Sequence, residues 1–133
     1  MPVVDGPIVK TQWMPVAAEL GAGAIVTFDG VVRASNNGRD DVTGIFYDCY
    51  REMADREMAD IYLEVRRMQP VSYIQIVHRI GEVPVGELSL FVVAASAHRG
   101  DAFAACQTAV DELKKRAPLW KKEHYTDDSA QWI

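Results

Sequence analysis

Cysteines and long apolar runs are scarce in this sequence, and each shortage excludes a class of protein. The two cysteines, Cys49 and Cys106, belong to no CxxC pair and have no histidine at metal-ligand spacing, so neither a zinc site nor a disulfide framework is supported. No apolar run approaches the roughly 20 residues of a transmembrane helix, and the first residues lack the regions of a signal peptide. We therefore expect a reduced, cytoplasmic protein, with a Cys49–Cys106 disulfide as the lesser alternative.

Positive charge is also in short supply. The chain has 14 Lys and Arg against 19 Asp and Glu, a formal net charge of −5. A protein that grips nucleic acid with its whole surface should be basic, because neutralising phosphates supplies most of that affinity. A small RNA-binding α/β domain is therefore the weaker alternative, and aromatic side chains at stacking spacing are missing too. Any anion site must be a local basic pocket on an acidic body.

Several catalytic signatures are missing as well. The sequence contains no HExxH, no P-loop glycine pattern, no GxSxG and no dinucleotide fingerprint. Metal-dependent hydrolysis and nucleoside-triphosphate chemistry are therefore unsupported. We expect no resident metal and no cofactor.

What remains is the composition of an ordinary globular protein. Hydrophobic residues make up 49% and charged residues 25% of the 133 residues, which is enough apolar material for one core. We expect a single domain over residues 1–133. Residues 1–20 are weakly defined, apart from a helical turn near 16–20.

Strand and helix patterns alternate along the rest of the chain. Strands are predicted at 22–32, 42–50, 72–80, 88–95 and 119–125, and helices at 51–68 and 99–116. The Asn-Gly turn after the first strand favours a long-looped hairpin, and 81–86 has the residues of a turn. The order β-β-α-β-β-α-β predicts an α/β (α+β) two-layer sandwich.

Apolar residues at three- and four-residue steps predict which side chains the helices bury. They are Met53, Ala54, Met58, Ile61, Tyr62, Val65 and Met68 in the first helix, and Phe103, Cys106, Val110 and Leu113 in the second. Trp120 is expected in the core. His78 alternates with isoleucines, so we expect a hydrogen-bonded core or interface histidine rather than a ligand.

Basic side chains stand where the predicted elements end. They are Arg33 at a strand end, His98 and Arg99 at a helix N-terminus, Lys114 in the last turn of that helix, and Lys121 and Lys122 after Pro118. A helix N-terminus offers free N–H groups and a positive dipole end to an anion. We expect these ends to meet at one edge of the sandwich and form an anion pocket. Taken singly, each cation also has an ordinary explanation as a solvated charge or a dipole complement.

Seven short segments, taken in order, resemble the large, catalytic subunit of molybdopterin synthase. The resemblance covers about residues 21–133. It is carried by GAIVTFDGVVR at 23–33, YDCY with MA at 47–54, HRIG with VGE at 78–87, SAHR with AF at 96–103, DELK at 111–114, APLWKKE at 117–123, and the terminal Trp132.

The resemblance implies a reaction and a partner. Members of this family convert a cyclic pyranopterin monophosphate to molybdopterin by adding two dithiolene sulfurs and opening the cyclic phosphate. The sulfur arrives as a thiocarboxylate on the C-terminal Gly-Gly of a small ubiquitin-like sulfur-carrier subunit. The implied fold is an α/β hammerhead, assembled as a central homodimer within a heterotetramer.

The resemblance also implies roles for individual residues. The two catalytic lysines of the family fall on Lys114 and Lys121. The substrate-binding residues fall on Val31, Val32, Arg33, His98, Arg99, Lys122 and Glu123. Fixed cations would stabilise the phosphate, the anionic tail and the oxyanion-like intermediates of sulfur transfer alike. A lysine crowded by other cations also loses proton affinity, which suits a general acid–base.

Two departures from the family pattern bear on these expectations. Many relatives continue past the terminal Trp, and that tail can bring an Arg into the neighbouring subunit's pocket. We expect this contribution to be absent here or supplied differently. The pair Asp48-Cys49 replaces the more usual Glu-Ala, with little expected effect. A rival function is a non-catalytic scaffold that holds an acidic C-terminal tail in the basic pocket.

Overall fold

The computed structural model describes residues 3–133, in which two four-stranded sheets pack with three α-helices. The helices are α1 (Ala17–Leu20), α2 (Arg51–Met68) and α3 (Arg99–Arg116), and a 3-10 turn covers Lys10–Gln12. The strands are β1 (Val3–Val4), β2 (Ala24–Val31), β3 (Val42–Cys49), β4 (Val71–Arg79), β5 (Gly81–Pro84), β6 (Leu88–Ser96), β7 (Leu119–Tyr125) and β8 (Ala130–Trp132). The mixed α/β class and the bounds of both long helices are confirmed.

The first sheet has the strand order β1-β4-β6-β2, and the second has the order β5-β3-β7-β8. Strands β2 and β4 both pair antiparallel with β6, while β3 pairs antiparallel with β5 and β7. The predicted β2–β3 hairpin is therefore wrong. Strand β6 is buried almost throughout, so it needs a hydrogen-bonded neighbour on each side, and β2 fills one of these places.

The predicted turn at 81–86 is also shorter than expected. Residues 81–84 extend along β3 as strand β5. The chain reverses only afterwards, where Glu87 N–H donates to the Pro84 carbonyl at 3.1 Å. Gly86 has φ +89° there, a conformation that glycine adopts without strain.

Helices α2 and α3 cover one face of the first sheet and form the main core. Helix α3 lies close to the sheet because Ala102, Ala105 and Ala109 are fully buried beside it. The opposite face is covered by Ile8 and Trp13 of the N-terminal segment. The residues predicted to be buried in the helices and confirmed so are Ala54, Met58, Ile61, Val65, Cys106, Val110 and Leu113.

Four apolar side chains that were expected inside are exposed instead. They are Met53, Met68, Phe103 (60% exposed) and Trp120 (51% exposed). The helical residues lie at the margins of their stripes. Trp120 lies on β7, where side chains alternate between faces, and Lys121, Glu123 and Tyr125 take the inner face.

The end of α3 is held against α2 by Arg116. Its Nε lies 3.0 Å from Glu57 Oε2, and its Nη1 lies 2.6 Å from Glu64 Oε2. This side chain turns toward α2, whereas Lys114, half a turn earlier, turns toward the junction of the two sheets. The ion pairs thus fix the helix end that carries Lys114.

Both cysteines are free thiols, so the disulfide alternative is excluded. Among the described residues, no helix combines the length and the apolar character that crossing a membrane requires.

The close packing around Gly23, which directly precedes β2, can be tested by substitution. Its N–H donates to the Ser96 carbonyl at 2.9 Å, and a Cβ at this position would overlap the Ala97 carbonyl oxygen. We expect Gly23→Ala to lower the free energy of unfolding by about 1–3 kcal/mol, the usual cost of overpacking. Gly100→Ala is the matched control, because its Cβ would meet nothing within 4 Å and alanine favours a helix. Equal stabilities of the two variants in urea unfolding would contradict this packing.

Candidate functional site

A cavity of about 390 Å³ lies where the two sheets meet the C-terminal end of α3. The end of β2, the middle of β3 and β7, and the ends of β4 and β6 contribute its walls. The apolar part of the wall includes Leu90, Leu113 and Leu119, and the charged part has three basic side chains, Arg33, Lys114 and Lys121, against one acidic side chain, Glu123. The cavity is therefore the local basic pocket that the sequence predicted on an acidic protein.

Most of the predicted site residues line this cavity. They are Val31, Val32, Arg33, Lys114, Lys121 and Glu123. Strand alternation explains the contribution of β7, because residues 121 and 123 share one face. The end of β2 brings Arg33, and the end of α3 brings Lys114.

His98, Arg99 and Lys122 do not line the cavity. His98 and Arg99 begin α3, whereas Lys114 is near its end. Fifteen residues of helix separate Arg99 from Lys114, about 22 Å at 1.5 Å per residue. Lys122 lies on the other face of β7, where its Nζ is 5.4 Å from the centre of the Trp132 ring. The expected meeting of all the cations at one edge of this chain is therefore not found.

Among the described residues, the cavity cations have no ion-pair partner. Within residues 3–133, none of Arg33, Lys114 and Lys121 has a carboxylate oxygen within 4.0 Å of its charged nitrogen. Other basic residues, such as Arg116 and Arg39, are fully paired. Unpaired cations around an apolar-walled cavity provide charge for an anionic ligand.

Lys121 has an altered proton affinity. Burial lowers its pKa from the ordinary value, and the nearby charge of Lys114 lowers it further. Both effects disfavour the ammonium form, since desolvation and a like charge each destabilise a cation. Both causes make Lys121 give up its proton more readily than an ordinary lysine does.

The floor of the cavity is formed by His78 and Tyr47, whose ring centres lie 5.1 Å apart. His78 Nδ1 donates to the Arg79 carbonyl at 2.8 Å, which leaves Nε2 as an acceptor. Burial, together with the charges of Lys121 and Lys114, lowers the pKa of His78 to about 4. The histidine is buried and hydrogen-bonded, as expected, but it is also an uncharged part of the cavity wall.

A buried carboxylate completes the inner face of β7. Glu123 is only 1% exposed, and its two oxygens accept hydrogen bonds from Asn36 Nδ2 and the Tyr125 hydroxyl, each at 2.7 Å. Sequence reasoning missed Asn36 and Tyr125. Tyr125 follows Glu123 at the two-residue strand period, a signal that could have found it, whereas nothing local links residue 36 to residue 123.

The cavity offers little to a metal ion. Among the described residues, no group of three or more His, Cys, Asp or Glu side chains could hold one. The donors that face the cavity suit an anion instead.

The chain is similar to known proteins in both sequence and structure. The family model described as MoaE protein matches residues 4–116. A rice relative (Oryza sativa subsp. indica), a molybdopterin synthase catalytic subunit, is 45% identical over 114 residues. The match covers 86% of this chain and 58% of the rice protein, so the chain spans little more than half of that relative's length.

Solved structures agree with the family match. The crystal structure of molybdopterin synthase from Staphylococcus aureus superposes with a TM-score of 0.86 at 29% identity, covering 99% of this chain and 95% of that one. A complex of subunits 1 and 2 of molybdopterin-converting factor from Helicobacter pylori gives a TM-score of 0.82 at 19% identity, covering 99% and 88%; this second likeness shows the fold alone. With a family model that matches most of its length, the chain belongs to the MoaE protein family.

Proposed function

We propose that this protein is the sulfur-transferring large subunit of a molybdopterin synthase. Its substrate is the cyclic pyranopterin monophosphate, and its sulfur donor is the C-terminal Gly-Gly thiocarboxylate of a small ubiquitin-like subunit. The observation that carries the proposal is the set of unpaired cations, Arg33, Lys114 and Lys121, around one cavity. The rice relative is named a catalytic subunit, which supports a second subunit as the partner. The proposal keeps the cytoplasm as the place of reaction, in line with the free thiols.

The cavity suits this chemistry because each reacting group is an anion or becomes one. The substrate carries a phosphate, the donor tail ends in a thiocarboxylate, and attack at the tail carbonyl develops an oxyanion. Cations that are already in place stabilise these charges without reorganising during the reaction. Partial burial of Lys121 shields it from water and strengthens its interaction with an anion.

The two lysines take different parts in this proposal. Lys121 is half-buried and its pKa is lowered, so it exchanges protons with the reacting groups as general acid–base. Lys114 is exposed at the helix end and contributes charge to the phosphate or the tail. Val31 and Val32 form the wall beside Arg33. Glu123 contributes through its neighbours, and we leave Lys122 out of the direct substrate contacts.

His98 and Arg99 join the site only if a second copy supplies them. The length of α3 prevents both ends of one helix from reaching one small cavity. A homodimer that places the N-terminus of one α3 beside the other copy's cavity would restore the predicted set. The free N–H groups of that helix end would add to the anion site.

A scaffold that only holds an acidic tail is the remaining alternative. It predicts binding of the partner without turnover. Mixing the protein with a thiocarboxylated partner and the cyclic pterin phosphate, then assaying for the dithiolene, separates the two functions. Formation of the dithiolene supports the enzyme, and binding without product supports the scaffold.

The lysine assignments predict selective loss of turnover. We expect Lys114→Ala and Lys121→Ala each to abolish most dithiolene formation, with unfolding curves close to that of the parent. Lys115→Ala is the control, because Lys115 is exposed and pairs with Glu112 at 3.7 Å instead of facing the cavity. The measurement is single-turnover product formation at saturating partner. Turnover of either cavity variant within threefold of the parent would refute its assignment.

The cause of the lowered Lys121 pKa makes a second prediction. Removing the Lys114 charge removes one of its two causes, so Lys114→Ala should raise the Lys121 pKa toward its ordinary value. The pH dependence of acylation at Lys121, followed by mass spectrometry, should shift to higher pH in this variant. Lys115→Ala should leave the profile unchanged. Identical profiles in all three proteins would show that the two cavity lysines do not interact.

Shared sites between two copies can be tested by complementation. One variant carries Lys121→Ala, and the other carries His98→Ala with Arg99→Ala; each alone should be inactive. A purified mixed dimer contains one intact site if the residues come from different copies, so about half of the parent activity should return. A site built from one chain would leave every site in the mixture defective, and no activity would return.

A further inference from the structure

We propose that Asn36 is a positioning residue: its side-chain amide, held by the buried Glu123 carboxylate, fixes the loop that presents Arg33 to the cavity. The role of Arg33 as an anion contact rests on the proposed function, whereas the loop restraint does not. Neither Asn36 nor Tyr125, the two donors to Glu123, was among the site residues expected from the sequence, and Glu123 was expected to touch substrate.

The loop that follows β2 folds back on itself. Asn36 and Arg39 exchange two backbone hydrogen bonds of 2.8 and 2.9 Å, and Asn37 and Gly38 between them have φ of +50° and +79°. These positive values at both central positions are typical of a tight type I′ hairpin turn. A hairpin this short is not stable alone in water, so its place on the protein depends on contacts with neighbouring segments of the chain.

Both residues that pair across this turn contact β7. Asn36 Nδ2 donates to Glu123 Oε2 at 2.7 Å, and the Arg39 guanidinium lies 3.6 Å from the centre of the Tyr125 ring. The Tyr125 hydroxyl donates to the other Glu123 oxygen, so one buried carboxylate is shared by the loop and the strand. Hydrogen bonds to an ionised acceptor are stronger than those between neutral groups.

Arg33 lies between this loop and Val32, the residue that directly follows β2. Val32 is held by its N–H bond to the Glu87 carbonyl at 3.1 Å, and the Ala34 carbonyl accepts from Val42 N–H at 3.0 Å. The Arg33 side chain is exposed and has no ion-pair partner among the described residues, so its backbone determines where the guanidinium reaches. Arg33, Ser35 and Asn36 all line the cavity; releasing Asn36 would therefore loosen the wall that carries the cation.

The hydrogen-bond chemistry of the pair provides a sharp test. In Asn36→Asp, two carboxylates would face each other without a donor, and they would repel unless they shared a proton. The double variant Asn36→Asp with Glu123→Gln restores a donor and an acceptor and returns the net charge to that of the parent. Glu123→Gln alone should be mild, because an amide can turn to serve both neighbours. Rescue by the double variant is not expected of a residue that merely fills space.

The experiment measures two quantities in each variant: amide hydrogen exchange of the 33–41 segment, and the affinity for inorganic phosphate by calorimetry. We expect Asn36→Asp to speed exchange of this segment about tenfold or more and to weaken phosphate binding by a similar factor. The double variant should stay within threefold of the parent in both. Ser35→Asp is the charge control: it adds the same charge at the cavity and should weaken phosphate binding without speeding exchange.

The outcomes separate this inference from the proposed function. Unchanged exchange in Asn36→Asp, or a double variant no better than Asn36→Asp, would overturn the positioning role. Absence of phosphate binding by the parent would overturn the link to an anion site. Phosphate binding that follows loop protection, in a protein with no sulfur-transfer activity, would refute the proposed function and leave the positioning role standing.

Discussion

The burial of β6 on both faces is the constraint from which the rest of the fold follows. Residues 89–96 are all buried, and every backbone N–H and C=O in such a strand needs a partner, because water cannot reach it. Strands β2 and β4 supply those partners. Strand β3 is then free to build the second sheet with β5 and β7. The cavity lies at the junction between the two sheets, and this junction exists because β2 and β3 belong to different sheets.

The placement of charge follows the same division. Cations that stabilise the fold, such as Arg79 and Arg116, are paired with carboxylates, whereas those at the junction are unpaired. Burial, together with the nearby charge of Lys114, lowers the Lys121 pKa. Desolvation and a like charge both disfavour the ammonium form, and an anion beside the two lysines would favour it again. On an acidic body, the contrast also directs anions to one place.

Sequence reasoning could predict the helices, the mixed α/β class and six of the residues that line the cavity, because these depend on local periodicity and on a family pattern. It could also have separated Lys122 from Lys121, since neighbours on a strand face opposite ways. Helix length could likewise have shown that the two ends of α3 lie too far apart to share one small cavity. By contrast, the Glu123–Asn36 bond joins residues 87 positions apart. The Asn-Gly turn was evident from the sequence, but where the turn docks depends on tertiary packing that no local pattern encodes.

The N-terminus of α3 carries positive charge that the helix dipole disfavours. Positive charge at a helix N-terminus opposes the helix dipole, so of His98 and Arg99 the arginine is placed where its charge is unfavourable. Among the described residues, neither has an ion-pair partner within its own chain, although Asp101 lies in the first turn. An anion bound beside this helix end would receive the N–H groups, the dipole and both side chains together. An anion held beside this helix end would offset that unfavourable placement, and the proposed function assigns the anion to the cavity of a second copy.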